Sequence, residues 1–193
     1  MLSEDIFLKL QEHTLYILIM RKIIVIGCPG SGKSTFSKKL HDLTDLPLYH
    51  LDLIYHRADR TTVSRDEFDS SLSRILETDK YIIDGNYGRT IEMRMKECDT
   101  VFLFDLPTEV CLDGVRSRIG KKRDDMPWVE ECFDPEFEAV IRGFQRGQLP
   151  KIYDLLKKHG KIPVVFKSRS EADDYLTDIK IKKLTTNKNN SKE

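Results

Sequence analysis

A chain of 193 residues is long enough for one domain with a substantial core. Lys plus Arg equals Asp plus Glu, 32 against 32, so no global field would hold the protein on a polyphosphate backbone, and nucleic acid is not the expected partner. Hydrophobic residues at 39%, interleaved with charged stretches, fit a globular chain and exclude a disordered one.

Residues 1–20 read as an N-terminal extension. Leu15 to Met20 is apolar but far too short to span a bilayer. Glu4, Asp5, Lys9 and Glu12 lie upstream of it, the reverse of the basic start of a secretory signal. No membrane association is expected. Cys28, Cys98, Cys111 and Cys132 lie far apart with no C-x-x-C pair, which points to reduced thiols and a cytoplasmic location.

The domain itself is read as 21–179. It opens with an apolar strand, Lys22 to Ile26, followed at once by Gly27-Cys28-Pro29-Gly30-Ser31-Gly32-Lys33-Ser34-Thr35, a complete G-x-x-x-x-G-K-[ST] loop. Its glycines permit positive φ and close approach to a ligand, so successive backbone N–H groups can converge on an anion. A helix from Thr35 to His41, with Phe36 and Leu40 on one face, would bring its positive end to the same point. The expected nucleotide-binding residues are Gly27, Pro29, Gly30, Ser31, Gly32, Lys33, Ser34 and Thr35. In this motif the lysine, Lys33, reaches the β- and γ-phosphates, and the Ser34 hydroxyl sits on Mg²⁺. Cys28, at a spacer position, is read as a spectator thiol.

Four further apolar runs, Leu46 to Leu51, Tyr81 to Asp84, Thr100 to Phe104 and Ile162 to Phe166, suit buried parallel strands. Helical patterns separate them. Ser64-x-x-Glu67 is a capping box opening a helix with Phe68, Leu72, Ile75 and Leu76 on one face. Thr90 to Lys96 is short, and Thr108 caps a helix to about Ile119. The charged stretch Lys121 to Pro135 comes next, then helices over Glu136 to Arg142, Leu149 to His159 and Glu171 to Lys180. Residues 180–193, rich in Lys, Asn and Thr, are expected to be a disordered polar tail. Strands alternating with helices predict a parallel sheet with right-handed crossovers and a helix layer on each face. Ligands of such sheets sit beyond the carboxyl ends of the strands, so the strand-end residues are the informative ones.

Asp52 follows the second strand, where a carboxylate could take a proton from an attacking hydroxyl, bind an acceptor or touch a metal through water. Asp84 ends the third and has the Walker-B placement for Mg²⁺. Asp105, ending the fourth, is a second candidate, or the residue that starts the turn before Pro107. Phosphoryl transfer needs cations around the migrating group, and Arg89, Arg94, Arg116, Arg118 and Arg123 bracket a loop at about 119–135 that could close as a lid. His50 and His56 flank Asp52 with no third soft ligand nearby, which argues against zinc. Trp128, Phe133, Phe137 and Phe144 are read as packing for the lid helices.

Taken together, Gly27 to Thr35, His50-Leu51-Asp52, Asp84-Gly85-Asn86-Tyr87 with Thr90 and Arg94, and Gly120-Lys121-Lys122-Arg123-x-Asp125-Met126-Pro127-Trp128 resemble the adenylate-kinase-like small P-loop kinases, in particular the bacterial DNA topology modulation proteins. The resemblance runs from about Arg21 to Leu176. It implies a three-layer P-loop NTPase fold with five parallel strands in the order 2-3-1-4-5 and a small helical lid, and it makes Arg118 similar to a lid arginine. Adenylate kinases carry Asp-Gly-Phe-Pro-Arg, whereas here one residue more separates Asp84 from Arg89, and the usual first arginine of the helix after strand four falls at Gly114. Those departures argue against adenylate as acceptor. Balanced charge gives a link to DNA supercoiling no physical support.

The reading is an ATP-dependent kinase that passes the γ-phosphoryl group to a small acceptor, a nucleotide or nucleoside by the resemblance. Asp52 would orient or deprotonate the acceptor, Ser34 and Asp84 would hold Mg²⁺, and Lys33, Arg94, Arg118 and Arg123 would carry the phosphate charge. A monomer or homodimer is expected. The rival is an ATP-binding regulator with little turnover. A GTPase is disfavoured because the only [NT]-K-x-x stretch, Asn187-Lys188-Asn189-Asn190, lacks the base-reading aspartate.

Overall fold

The computed structural model describes residues 20–190, with the backbone alone described for 185–190. Its elements in chain order are β1 (Lys22–Gly27), α1 (Lys33–Thr44), β2 (Leu48–His50), α2 (Leu51–Tyr55), α3 (Arg65–Leu76), β3 (Tyr81–Asp84), α4 (Ile91–Glu97) and β4 (Thr100–Phe104). Then follow α5 (Thr108–Arg116), α6 (Pro135–Gly147), α7 (Leu149–Lys158), β5 (Val164–Phe166) and α8 (Arg169–Asn190). The expected N-terminal extension lies, apart from buried Met20, outside the described residues.

The five strands pair in parallel in the order β2-β3-β1-β4-β5. Ile23 to Ile26 of the central strand are fully buried, as an apolar run covered by helices on both faces requires. Phe36 of α1 shows why the loop sits where it does. Its ring lies 4.9, 5.4 and 5.2 Å from those of Phe102, Phe104 and Phe166, so burying it ties the helix behind the loop to β4 and β5. Full burial of such a ring contributes about 1.5–3 kcal/mol. On α3 the Ser64 hydroxyl accepts the Glu67 N–H at 3.1 Å, and Phe68, Leu72, Ile75 and Leu76 are buried as the periodicity predicts.

Several expected boundaries move for identifiable reasons. Pro47 and Pro163 lack the N–H a ladder needs, and the second and fifth strands begin just after them. Leu51 leaves the strand to open α2, so Asp52 sits in a helical first turn. Thr108 opens α5 without a side-chain cap, Pro107 holding the cap position. The helix α6 runs on past Arg142 because Ile141 and Phe144 continue its buried face. Residues 117–134 form turns and bends without a helix, unlike the helical lid expected there; Gly120 at φ 72° and Pro127 interrupt a charged stretch with no apolar period. The tail expectation is also corrected, since α8 continues from 180 to Asn190. Ile179 is buried, and Lys183 donates to the Leu43 carbonyl at 2.8 Å, tying this stretch to α1. Residues 191–193 lie outside the described residues.

Candidate active site

The loop between β1 and α1 is built for an anion. Gly30 (φ 78°) and Gly32 (φ 106°) take left-handed conformations that an L side chain resists. Gly32 caps α1 with no side-chain hydrogen bond to its first turn, and Gly32, Lys33, Ser34 and Thr35 line the cleft. Arg169, opening α8, lies across the loop and donates to the carbonyls of Gly30 at 2.8 Å and Ser31 at 3.4 Å, turning these acceptors away from the anion. Lys33 is buried, its ammonium 2.8 Å from the Cys28 carbonyl oxygen. Cys28 lies against Cys111, and their hydrogen bond together with burial raises the Cys28 thiol pKa, so it is no poised nucleophile.

Register brings the strand ends together. His50 of β2 lies beside Asp84 of β3, and the His50 Nδ1 is 2.9 Å from Asp84 Oδ2. Burial alone would lower the His50 pKa, but the hydrogen bond and negative charge of Asp84 raise it. Asp84 is 4% exposed and its other oxygen, Oδ1, has no hydrogen-bond partner. From the lid, Asp125 reaches the same point; ligand atoms of His50, Asp84 and Asp125 lie within 4.8 Å of one another. Burial would raise the Asp125 carboxyl, but hydrogen bonds from Arg123 and the Ser34 hydroxyl hold it at about 2. An orphaned buried carboxylate oxygen beside a second carboxylate and a hydroxyl is a donor set that fits a hard divalent cation.

Asp105, the other candidate, is spent elsewhere. Gln145 and Tyr153 donate to it at 3.2 Å each, and Lys167 pairs with it. It does not line the cleft.

Asp52 is half-buried and accepts the Tyr87 hydroxyl at 2.8 Å. Burial first, then the charge of Asp84, raises its pKa, against the opposing pull of the Tyr87 hydrogen bond and Lys33. His56 sits edge-on to Trp128 with ring centroids 4.9 Å apart. Trp128 thus lines the cleft rather than packing lid helices.

The arginines divide. Arg118 and Arg123 both line the cleft, and each is 2.8 Å from Glu130. Arg123 also forms a two-point pair with Asp125 at 2.9 and 2.7 Å. Arg94, expected as a phosphate clamp, is fully buried and away from the cleft. Its guanidinium donates to the carbonyls of Gly85 at 2.7 Å, Tyr87 at 3.0 Å and Thr90 at 3.4 Å, so it supports the segment after β3 from behind. Arg89 is paired with Asp69 on the surface at 2.7 and 2.6 Å. Residues given no role in advance are Asp125, Tyr87, Glu130 and Arg169. The first two stand inside quoted motifs, whereas Glu130 and Arg169 carry no local signal.

A glycine-rich loop opening a helix at the carboxyl end of a 2-3-1-4-5 parallel sheet defines a P-loop NTPase fold. No protein-family model matches the chain. The chain is similar to adenylate kinase from Pseudothermotoga lettingae, 26% identical over 145 residues, covering 70% of this chain and 64% of the relative. It is also similar to adenylate kinase from Thermotoga maritima, 27% identical over 148 residues, covering 72% of this chain and 65% of the relative. The chain thus spans slightly less than two thirds of these relatives' length. Among solved structures it resembles shikimate kinase from Acinetobacter baumannii in complex with shikimate, with TM-score 0.58, 16% identity, and 91% of this chain and 98% of that one covered. Shikimate kinase from Bacteroides thetaiotaomicron gives TM-score 0.57 and 14% identity, with 86% and 99% covered. The likeness to these structures shows the fold.

Proposed function

We propose that the protein is an ATP-dependent kinase transferring the γ-phosphoryl group to a hydroxyl of a small acceptor of the nucleotide or nucleoside kind. One observation carries the reading: a single continuous cleft of about 1200 Å³ is lined together by Lys33, Ser34, Asp52, Arg118 and Arg123. Pockets for one drug-sized ligand run to about 300–1,000 Å³, so this space suits two substrates side by side. The relatives named adenylate kinase support the same chemistry.

In this reading the loop amides and Lys33 bind the β- and γ-phosphates of ATP, and Arg118 and Arg123 exchange Glu130 for phosphate oxygens. Ser34 and Asp84, with Asp125 beside them, would hold Mg²⁺, which neutralises phosphate charge. Asp52 takes the proton of the acceptor hydroxyl; its raised pKa makes it a stronger base than an exposed carboxylate. Arg94 acts only by positioning the Gly85–Tyr87 segment. The likeness to DNA topology modulation proteins rests on the quoted motifs, and balanced charge assigns the protein no DNA-directed activity. No helix among the described residues is long and apolar enough to cross a membrane; the cytoplasmic location is proposed from the scattered cysteines.

The test is an acceptor screen with Mg·ATP, following ADP release and the appearance of γ-phosphoryl label in the acceptor. Acceptor-dependent transfer is expected. Tight ATP binding with no stimulation by any compound would instead favour an ATP-binding regulator.

A further inference from the structure

The carboxylate of Asp52 is held at one point. Asp52 stands in the first turn of the short helix α2 and lines the cleft. Among the described residues one group donates a hydrogen bond to that carboxylate, the Tyr87 hydroxyl, 2.8 Å from Oδ1. Oδ2 is left for a ligand. The torsion about the last bond of an aspartate side chain is otherwise broad, so a charge-assisted bond to one oxygen is what sets the direction of the other.

Tyr87 is itself anchored at both ends. Its ring centroid lies 5.3 Å from that of Tyr55 and 5.1 Å from that of buried Phe68. Its backbone carbonyl accepts the Arg94 guanidinium at 3.0 Å, the Thr90 N–H at 3.1 Å and the Thr90 hydroxyl at 3.2 Å. Burial and the Asp52 charge push the pKa of the Tyr87 hydroxyl up, so it keeps its proton and remains a donor. The hydroxyl therefore meets Asp52 from a ring that packing has already fixed. Because the bond joins α2 to the turn after β3, the carboxylate's orientation is set when the domain folds, before a substrate enters.

We infer that Tyr87 is a positioning residue for phosphoryl transfer: by donating to Oδ1 of Asp52 it holds Oδ2 ready for the acceptor hydroxyl. This rests on the kinase reading above, with Asp52 as its base. In the step, the acceptor hydroxyl oxygen bonds to the γ-phosphorus as the bond from that phosphorus to the β–γ bridging oxygen breaks. ADP leaves, and the hydroxyl proton passes to Oδ2 of Asp52. Tyr87 gives up no proton. Without its hydroxyl the carboxylate turns among several orientations as the acceptor attacks, a loss that falls on kcat and spares the binding of ATP.

The test is Tyr87→Phe, which keeps the ring beside Tyr55 and Phe68 and removes only the hydroxyl. Turnover is followed with Mg·ATP and the compound that gives the fastest transfer in the screen above, beside calorimetric binding of a non-hydrolysable ATP analogue and a urea titration of the folded variant. A fall in kcat of about tenfold to a hundredfold is expected, the scale of a misplaced catalytic group, with KM for both substrates within about twofold of wild type. Asp52→Asn and the double variant complete a cycle. Adding Tyr87→Phe to Asp52→Asn should lower kcat no further, because a residue that acts through Asp52 then has nothing left to orient. Equal losses in the two backgrounds, wild-type kcat in Tyr87→Phe, or a rise in KM with kcat unchanged would each overturn the inference and leave the kinase reading standing. Wild-type turnover in Asp52→Asn would remove the base, and the inference with it, from a protein that is still a kinase. No transfer to any compound of the screen would end the kinase reading and the inference together.

Discussion

Gly114 of α5 meets Gly30 of the phosphate loop so closely that a Cβ added to Gly114 would stand 2.0 Å from the Gly30 carbonyl oxygen. The contact is reciprocal, for a Cβ on Gly30 would lie 2.1 Å from the carbonyl oxygen of Cys111, also on α5. Loop and helix therefore pack backbone to backbone, and the helix that leads into the lid lines the cleft.

Backbone cannot swing aside as a flexible side chain does, so Gly114→Ala must displace the loop. We expect a loss of about 1–3 kcal/mol in ATP binding, that is, roughly 5- to 150-fold, read by calorimetry on the folded variant. Gly143→Ala is the control. Nothing lies within 4 Å of its added Cβ, in the middle of α6, and it should raise stability by about 0.5–1 kcal/mol. Wild-type ATP affinity in folded Gly114→Ala would contradict the packing argument.

Arg94→Met keeps the bulk of a fully buried side chain but leaves the Gly85 carbonyl without its guanidinium donor, while the Tyr87 carbonyl keeps the Thr90 N–H at 3.1 Å and the Thr90 hydroxyl at 3.2 Å. One orphaned acceptor costs about 1–3 kcal/mol, so a loss of that size is expected in urea unfolding. A phosphate clamp would behave otherwise: stability near wild type, with the loss confined to turnover. The two outcomes separate a supporting role from a catalytic one.

Arg94 also marks where sequence reasoning stops. An arginine four residues into the helix after an Asp-Gly-Asn-Tyr strand end looks the same whether it faces a phosphate or three carbonyls; packing across β3 and α4 decides, and neither element reports that alone. The loop from Gly27 to Thr35 was legible because its signal is local: glycine spacing, an apolar run before it and an apolar helix face after it. The same holds for the Ser64 cap and for the strand order, which followed from resemblance once the alternation was read. The grouping of His50, Asp84, Asp125 and Ser34 draws on four separate segments, and only the β2–β3 register and the path of the lid bring them together. The continuation of α8 to Asn190 was hidden because polar composition reads as a free end, while the contact of Lys183 with α1 is tertiary.

Lys33 is buried, but its ammonium hydrogen-bonds the Cys28 carbonyl oxygen within its own loop and, among the described residues, no other element of the fold. Lys33→Ala should therefore leave the circular dichroism spectrum and the urea midpoint near wild type while lowering turnover by about 10²–10³, the usual cost of removing one donor aimed at developing charge. Undiminished turnover in a folded variant would remove Lys33 from the site.

Asp52 connects activity with stability through pH. Burial and the charge of Asp84 raise its pKa in the folded protein, so folding binds this proton more tightly than the unfolded chain does. The stabilising contribution is complete below the unfolded carboxyl value of about 3.9 and is lost as pH rises through the higher folded value. Above its folded pKa the wild type thus carries a buried charge that Asp52→Asn does not, while an asparagine oxygen can still accept the Tyr87 hydroxyl. Urea midpoints should coincide near pH 4 and separate in favour of Asp52→Asn as pH rises, levelling above the folded pKa. Turnover should fall by about 10²–10⁴ in the same variant, the range of a lost general base. A variant less stable than wild type at pH 7, or as active, would show that the carboxylate is held for the fold and not for the acceptor's proton.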